Sequence, residues 1–243
     1  MRLIKCFLLI ICSFLIVSCD KPSQEKSLIV ATSADNPPYE FIQNGQIVGL
    51  DIDIINAIGE KLEKKVIIKN FDFNGLLASL ASENVDIVIA GLTVTEERKK
   101  HISFSAPYVT TNVSVLYRTA DDLKNVRDLD NKIVGVQLGT TWAVIVRDLA
   151  KQFNMRTNYL SNNLMLVEEL KSKVVDVVVL EESQSKKFIE NNPDLASFSL
   201  TEFSSELAIA MPKDSKLVEN VDKAISELKK DGTISRITKK WLQ

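Results

Sequence analysis

The chain has 243 residues, 45% hydrophobic and 26% charged, with a formal net charge of −2. That balance is ordinary for a globular protein with room for a sizeable core, and it argues against nucleic acid, which asks for a basic stripe. All three cysteines, Cys6, Cys12 and Cys19, lie within the first nineteen residues, so the remainder has no thiol for a disulfide, a thiolate zinc site or a cysteine nucleophile.

Arg2 and Lys5 precede an apolar run from Cys6 to Val17 broken only by Ser13, and Ser18-Cys19 follows. A basic start, a short apolar region and a small residue before a cut mark a secretory signal. The run is too short to cross a hydrocarbon layer of roughly 30 Å as a permanent helix. With a cysteine directly after the small residue, the stretch resembles a bacterial lipoprotein lipobox, which implies cleavage before Cys19 and diacylation of that cysteine. A plain secretory signal or an uncleaved anchor is the alternative. Residues 1–18 carry Arg2 and Lys5 but no acid, so their loss leaves 28 basic against 32 acidic residues, net −4. Asp20 to Lys26 is short, polar and contains Pro22, and reads as a tether.

From Ser27 a βα alternation begins. Leu28 to Ala31 is a short apolar strand. Asp51 to Leu62 carries Ile55, Ile58 and Leu62 on one face with acids at its start, which predicts a helix. Val66 to Ile68 predicts a strand, Leu76, Leu77 and Leu80 a helix, and Asp86 to Ala90 a buried strand. Thr95 is placed to cap a helical turn containing Glu96, Glu97 and Arg98. The grammar restarts with a strand at Ile133 to Val136, an amphipathic helix from Thr141 to Leu149 and a buried strand from Asp176 to Leu180. A long helix spans Ser215 to Lys230, Gly232 stops it, and a last helix runs from Thr233 to Trp241. Apolar strands alternating with helices indicate α/β with mostly parallel sheets. No glycine-rich phosphate loop is present, so no nucleotide cofactor is expected. His101 is the sole histidine, which with no cysteine nearby argues against a transition-metal site.

Four segments have to be read together: Gly45 to Asp53; Asp86 to Arg98 followed by Phe104-Ser-Ala-Pro-Tyr108; Val134 to Thr141; and Lys229 to Trp241. In this order and spacing they resemble the polar amino-acid-binding proteins of ABC importers, the group of the glutamine-binding and lysine/arginine/ornithine-binding proteins. The resemblance covers nearly all of the chain from Ser27. It implies an α/β, two-lobed periplasmic-binding-protein (type II) fold, with two mixed, mostly parallel sheets joined by two hinge strands near Thr110–Val113 and Phe203–Leu207. The implied organisation is a signal peptide at 1–18, a lipidated cysteine and tether at 19–26, lobe 1 from 27–110 plus 207–243, and lobe 2 from 111–206.

Carried over residue by residue, the resemblance makes Arg98 the grip on the ligand α-carboxylate. A planar guanidinium offers a bidentate fork for that group. The alternative is a solvated arginine in a charged run. Ala90, Gly91 and Thr93 match the segment whose backbone and hydroxyl hold the amino and carboxylate groups. Gly139, Thr140 and Thr141 would present N–H groups to an anion, or simply cap a helix. Glu181 stands where the family usually has an aspartate for the α-ammonium, or is a helix-start acid. Phe73 matches one aromatic wall. Asn36 replaces the other, and Trp142 either substitutes for it or belongs to the core. Ser33 replaces the family's side-chain reader. Asp35 and Glu40 are nearby acids, and Gln137 occupies a neighbouring cleft position.

The expected function is a lipid-tethered binding protein that captures a polar L-amino acid and passes it to the membrane subunits of an ABC transporter. Arginine or lysine is the first expectation, because Asp35, Glu40 and Glu181 make the cleft acidic, and glutamine is the second. No catalytic residue, cofactor or metal is expected; the protein is expected to act as a monomer in the periplasm or at the cell surface. An aspartate after the lipidated cysteine implies, by resemblance to Gram-negative sorting, retention at the inner membrane. Two other classes share the architecture: a cyclohexadienyl-type dehydratase, for which Glu181 would be the acid or base, and a free-standing sensory module.

Overall fold

The computed structural model describes residues 27–243; the leader, Cys19 and the tether lie outside them. Strand β1 is Leu28–Thr32. A small antiparallel meander follows, with β2 at Asp35–Asn36, β3 at Glu40–Gln43 and β4 at Gln46–Val48. Helix α1, Leu50–Lys61, has Asp51 and Asp53 in its first turn and Lys61 in its last, the arrangement that complements a helix dipole. Its Ile54, Ile55 and Ile58 are fully buried, as the apolar spacing requires. Then come β5 (Val66–Asn70), α2 (Leu76–Ala81), β6 (Ile87–Val88), α3 (Glu96–Lys99) and β7 (Ile102–Phe104). The expected strand at 86–90 is shorter, because Asp86 is spent on accepting the Ile29 N–H through its carboxylate and the chain turns at Gly91.

A second unit starts with the long strand β8, Val109–Arg118, and continues through β9 (Ile133–Gln137), α4 (Thr141–Leu149), β10 (Arg156–Leu160), α5 (Asn163–Lys171), β11 (Val177–Glu181), α6 (Glu182–Asn191) and β12 (Leu195–Leu207). The chain then returns to the first unit through β13 (Ala210–Pro212), α7 (Leu217–Lys230) and α8 (Thr233–Leu242).

Two five-stranded mixed sheets result, in the orders β5-β1-β6-β13-β7 and β10-β9-β11-β8-β12. In the first, β1 runs parallel to β5 and β6, and β13 antiparallel to β6 and β7. In the second, β9 is parallel to β10 and β11, and β8 antiparallel to β11 and β12. β8 and β12 pair from Arg118 to Val109, with a register break between Leu200 and Ser204. Beyond it, Leu207 bridges to Thr93 of the first lobe. The two lobes are therefore joined by adjacent, hydrogen-bonded crossing strands.

Each lobe has its own core. Leu28, Val30, Ile54, Ile58, Ile209 and Ile225 form one in lobe 1, and Leu76, Leu80, Val88 and Leu92 another. Val115, Val134, Val136, Val179 and Leu180 belong to the core of lobe 2. Trp142 is part of that core, 7% exposed, rather than a wall of the cleft. The C-terminal helix is pinned to α1: Asp53 Oδ2 accepts from Lys240 Nζ and Trp241 Nε1, both at 2.7 Å, and Trp241 meets Phe41 edge-on.

The entry to α1 depends on one glycine. Gly49 has φ 137°, and a Cβ there would stand 2.1 Å from the Tyr39 carbonyl oxygen. Gly45, at φ 77°, has open space around the same position. Gly49→Ala is expected to lower the unfolding free energy by at least ~2 kcal/mol through both clash and conformation, whereas Gly45→Ala costs about 1 kcal/mol from conformation alone. Urea denaturation of the two variants checks the contrast; equal losses would show that the close approach is relieved cheaply.

Candidate functional site

The lobes meet across a cleft, and four groups of polar side chains lie there. The first is built on α3. Thr95 Oγ1 accepts the Arg98 N–H at 3.1 Å, so the cap fixes where the arginine leaves the backbone. Its guanidinium donates to the Thr93 carbonyl at 2.7 Å and, across the cleft, to the Gly139 carbonyl at 3.0 Å. The guanidinium carbon lies 6.0 Å from the centroid of the Phe73 ring, within range of a cation–π attraction. Burial lowers the Arg98 pKa to about 10, which leaves it cationic at neutral pH. Thr141 Oγ1 donates to Thr93 Oγ1 at 3.3 Å, and Thr140 caps α4 by accepting the Ala143 N–H. Arg98, Thr93, Phe73, Gly139 and Thr141 thus come together from both lobes. A hollow of about 360 Å³ opens beside them, lined by Arg98, Gly139, Thr140, Thr141, Val144 and Ile145 among others.

The second group lies on lobe 1 around Gly91, whose φ is 53°, a left-handed conformation that glycine adopts without strain. The Gly91 N–H donates to Asp51 Oδ2 at 2.7 Å, and Tyr108 donates to the same oxygen at 2.9 Å. Asn36 Nδ2 donates to Glu40 Oε1 at 2.8 Å, and a Cβ at Gly91 would sit 2.8 Å from that amide nitrogen. Asn36 Oδ1 has no partner among the described residues. The Ala90 side chain is wholly buried in the lobe 1 core, so only its backbone faces other chemistry. Glu40 and Asp51 are both fully buried. Burial, with Asp51 alongside, pushes Glu40 well above the usual carboxylate range, and burial also raises Asp51. Glu40 therefore resists ionisation more than an exposed carboxyl does.

The third group is Glu181, at the junction of β11 and α6. Its Oε2 accepts the Gln184 N–H at 2.8 Å as an N-cap, and Oε1 accepts from the Thr111 hydroxyl on the crossing strand. Burial raises its pKa to about 7, against hydrogen bonds from Ser183 and Gln184 that lower it.

The fourth group contains Asp35 and Gln137. Asp35 Oδ2 accepts from Gln137 Nε2 at 2.7 Å and from the Asn163 N–H at 2.8 Å, while Oδ1 accepts from the Ser33 hydroxyl at 2.9 Å. Burial raises the Asp35 pKa, and these donors oppose the rise.

Several of these partners carry no signal in sequence periodicity. Asp51 reads as a helix-start acid, and nothing local says that it holds Gly91. Asn163 opens α5, a helix whose apolar face is weak enough to escape periodicity. Thr111 and Gln184 gain meaning only once β8 lies beside β11. His101 is solvent-exposed, 3.9 Å from Glu97. No cluster of three or more potential metal ligands occurs among the described residues, and no helix among them is long and apolar enough to cross a membrane.

Residues 28–243 match the bacterial extracellular solute-binding proteins, family 3. The arginine-binding extracellular protein ArtP of Bacillus subtilis (strain 168) is 33% identical over 222 residues, covering 90% of this chain and 87% of its own. Two solved structures, an ancestral arginine-binding protein bound to arginine and one bound to glutamine, are 39% and 40% identical. Their TM-scores are 0.85 and 0.83, with 89% and 88% of this chain and 98% and 97% of theirs covered. A match over almost every described residue, together with this two-lobed fold, places the chain among the bacterial extracellular solute-binding proteins of family 3.

Proposed function

We propose that this protein captures a polar L-amino acid between its lobes and delivers it to an amino-acid ABC transporter, with arginine or lysine the first choice of ligand and glutamine the second. The observation that carries the reading is Arg98. It is capped into position, stays cationic in a half-buried setting, and spends one nitrogen on a carbonyl of the opposite lobe. A ligand α-carboxylate would replace that neutral acceptor by a charged one, and charge-assisted bonds are roughly twice as strong. Thr93 and Thr141 supply further donors, Thr140 contributes through its backbone because its hydroxyl donates to the Gln137 carbonyl, Ala90 and Gly91 supply backbone, and Phe73 supplies an apolar wall. Glu181 takes the α-ammonium, and the unpartnered Asn36 oxygen accepts a donor. Glu40 acts from behind, by holding Asn36; Gln137 serves the cleft from lobe 2.

The relatives support the ligand class, since ArtP and the ancestral proteins are named for arginine and one of the latter is bound to glutamine. Burial of Glu40 disfavours its charged form, which weakens the case for a cationic side chain and keeps glutamine in contention. Binding follows hinge closure at the crossing strands, the ligand shifting the equilibrium only by binding the closed form better. We place lobe 1 at 27–110 plus 207–243 and lobe 2 at 111–206, a division supported by the β8–β12 register around Val109 and Leu207. The lipobox-like leader supports a membrane-anchored lipoprotein acting as a monomer in the periplasm or at the cell surface. The relatives' names are those of binding proteins, which supports binding without catalysis.

Residues 20–243, unfolded and refolded to strip carried ligand, should gain melting temperature with one or two of the twenty amino acids, and the gain should grow with concentration. No shift with any of them, from a folded sample, overturns the amino-acid assignment. Arg98→Lys should weaken binding at least tenfold, about 1.4 kcal/mol, because an ammonium cannot form the planar fork; calorimetric titration measures it.

Glu181 gives a second signature. Its folded pKa, raised by burial to about 7, exceeds its unfolded value. The folded protein then binds the extra proton between about pH 4.5 and 7, so the ligand-free protein loses stability as pH rises through that window. Glu181→Gln should shrink the difference in melting temperature between pH 5 and pH 8 and also reduce the stabilisation given by ligand. A variant that flattens the pH dependence yet binds normally would remove Glu181 from the ammonium role.

A further inference from the structure

We propose that Asp35 is a latch between the lobes, which sets ligand affinity by holding part of the ligand-free population closed rather than by touching the ligand. The proposal rests on the binding-protein reading only for its affinity consequence.

Three donors reach the Asp35 carboxylate, one on Oδ1 and two on Oδ2. Ser33, on its own lobe, donates to Oδ1. Both donors to Oδ2 come from lobe 2: the Gln137 side chain, at the end of β9, and the Asn163 N–H, the first residue of α5. The Asp35 carbonyl accepts from Gln184 Nε2 of α6 at 3.2 Å. One residue of lobe 1 is thereby gripped from three separate elements of lobe 2. A carboxylate at the start of a nine-residue helix gains from the helix dipole as well as from the bond.

Gln137 is itself held in one orientation. Its Oε1 accepts from Asn163 Nδ2 at 2.8 Å, and its Nε2 also donates to the Ser161 carbonyl at 2.9 Å. Both the Ser161 carbonyl and the Asp35 carboxylate can only accept, so the amide nitrogen must face them. The donor is thus aimed at Asp35 by lobe 2 alone, before the lobes meet. A preorganised donor loses little entropy when the bond forms. Asp35 is 4% exposed and Gln137 1%, so water competes weakly for the closed contact. Separating the lobes would hand the two lobe 2 donors on Oδ2 over to water, and the difference is what the latch contributes to closure.

This assigns different work to two residues that proximity alone would give to the ligand. The Asp35 oxygens are spent on Ser33, Gln137 and Asn163, and both ends of the Gln137 amide are spent on protein groups. A ligand reaching Asp35 Oδ2 or the Gln137 amide would compete with bonds already made.

Small-angle scattering on the ligand-free protein tests the latch without any amino acid. Asp35→Ala and Gln137→Ala should each enlarge the radius of gyration relative to the unsubstituted protein, and the double variant should be no larger than Asp35→Ala alone, which already removes both lobe 2 donors. Titration then tests the consequence. Each variant should bind arginine about tenfold more weakly, chiefly through faster dissociation, and glutamine more weakly by the same factor if it binds, since the latch touches neither side chain. Losses from the two single variants should not add in the double variant. An unchanged radius of gyration in both variants overturns the proposal. So does a loss at Asp35 that is confined to one amino acid or that adds to the loss at Gln137, either of which makes Asp35 a ligand contact. If the unsubstituted protein binds no amino acid, the function proposed above fails, while the scattering result still decides the latch.

Discussion

The constraint that organises this molecule is an excess of buried acid at the meeting of its lobes. Asp35, Glu40, Asp51 and Glu181 are all buried, and no lysine or arginine is buried to the same degree among the described residues. An unpaired carboxylate in such a setting is costly, and each must be protonated or given donors. The fold uses both remedies. Asp51 takes the Gly91 N–H and the Tyr108 hydroxyl, and Glu40 beside it accepts from Asn36 while burial pushes it toward its protonated form. Asp35 takes three side-chain or backbone donors on its carboxylate. Glu181 has the start of α6 and the Thr111 hydroxyl, yet its pKa still stands near 7. In the proposed role a ligand ammonium would supply Glu181 with the opposite charge that none of the described residues places there.

These solutions also join the lobes mechanically. Among the described residues the crossing strands carry the ladder that runs from lobe 2 toward lobe 1, and the register break between Leu200 and Ser204 separates its two portions. A ladder interrupted there can bend without disturbing either core, because each lobe has its own buried cluster. Thr111 sits on the crossing and contacts Glu181, so the state of that carboxylate is felt at the hinge itself.

Much of the fold was legible because its signals are local. The face of α1, the cap at Thr95, the stop at Gly232 and the buried run of β11 all follow from neighbouring residues. The Asp86–Ala90 run was longer as an apolar pattern than as a strand, since Asp86 and Gly91 are used for tertiary bonds and a turn. Arg98 was legible only through the Ala90–Thr95 segment before it; its own neighbours read as a solvated charged run. What periodicity could not show were the partners made by topology. Asp35 and Asn163 are 128 positions apart, as are many cleft pairs in kind if not in number, and no spacing rule connects them. Trp142 was ambiguous for the opposite reason, because a large apolar residue after two cleft threonines suits a wall and a core equally until packing decides.

The departures from the resemblance now fit one account. Ser33 stands where a side-chain reader is usual, and its hydroxyl is engaged by Asp35. Asn36 stands where an aromatic wall is usual, and its amide nitrogen is engaged by Glu40 while a Cβ on Gly91 would press against it. A bulky ring at 36 would meet the Gly91 turn, whose amide is held by Asp51. Each departure is thus matched by a polar contact of its own within lobe 1. Aromatic stacking area on that side is given up, and Asn36 Oδ1 is left as an acceptor unpartnered among the described residues. Such a surface favours ligands that bring donors, such as a guanidinium or a carboxamide, over those that bring only apolar area, which is the selectivity expected of a site for arginine or glutamine.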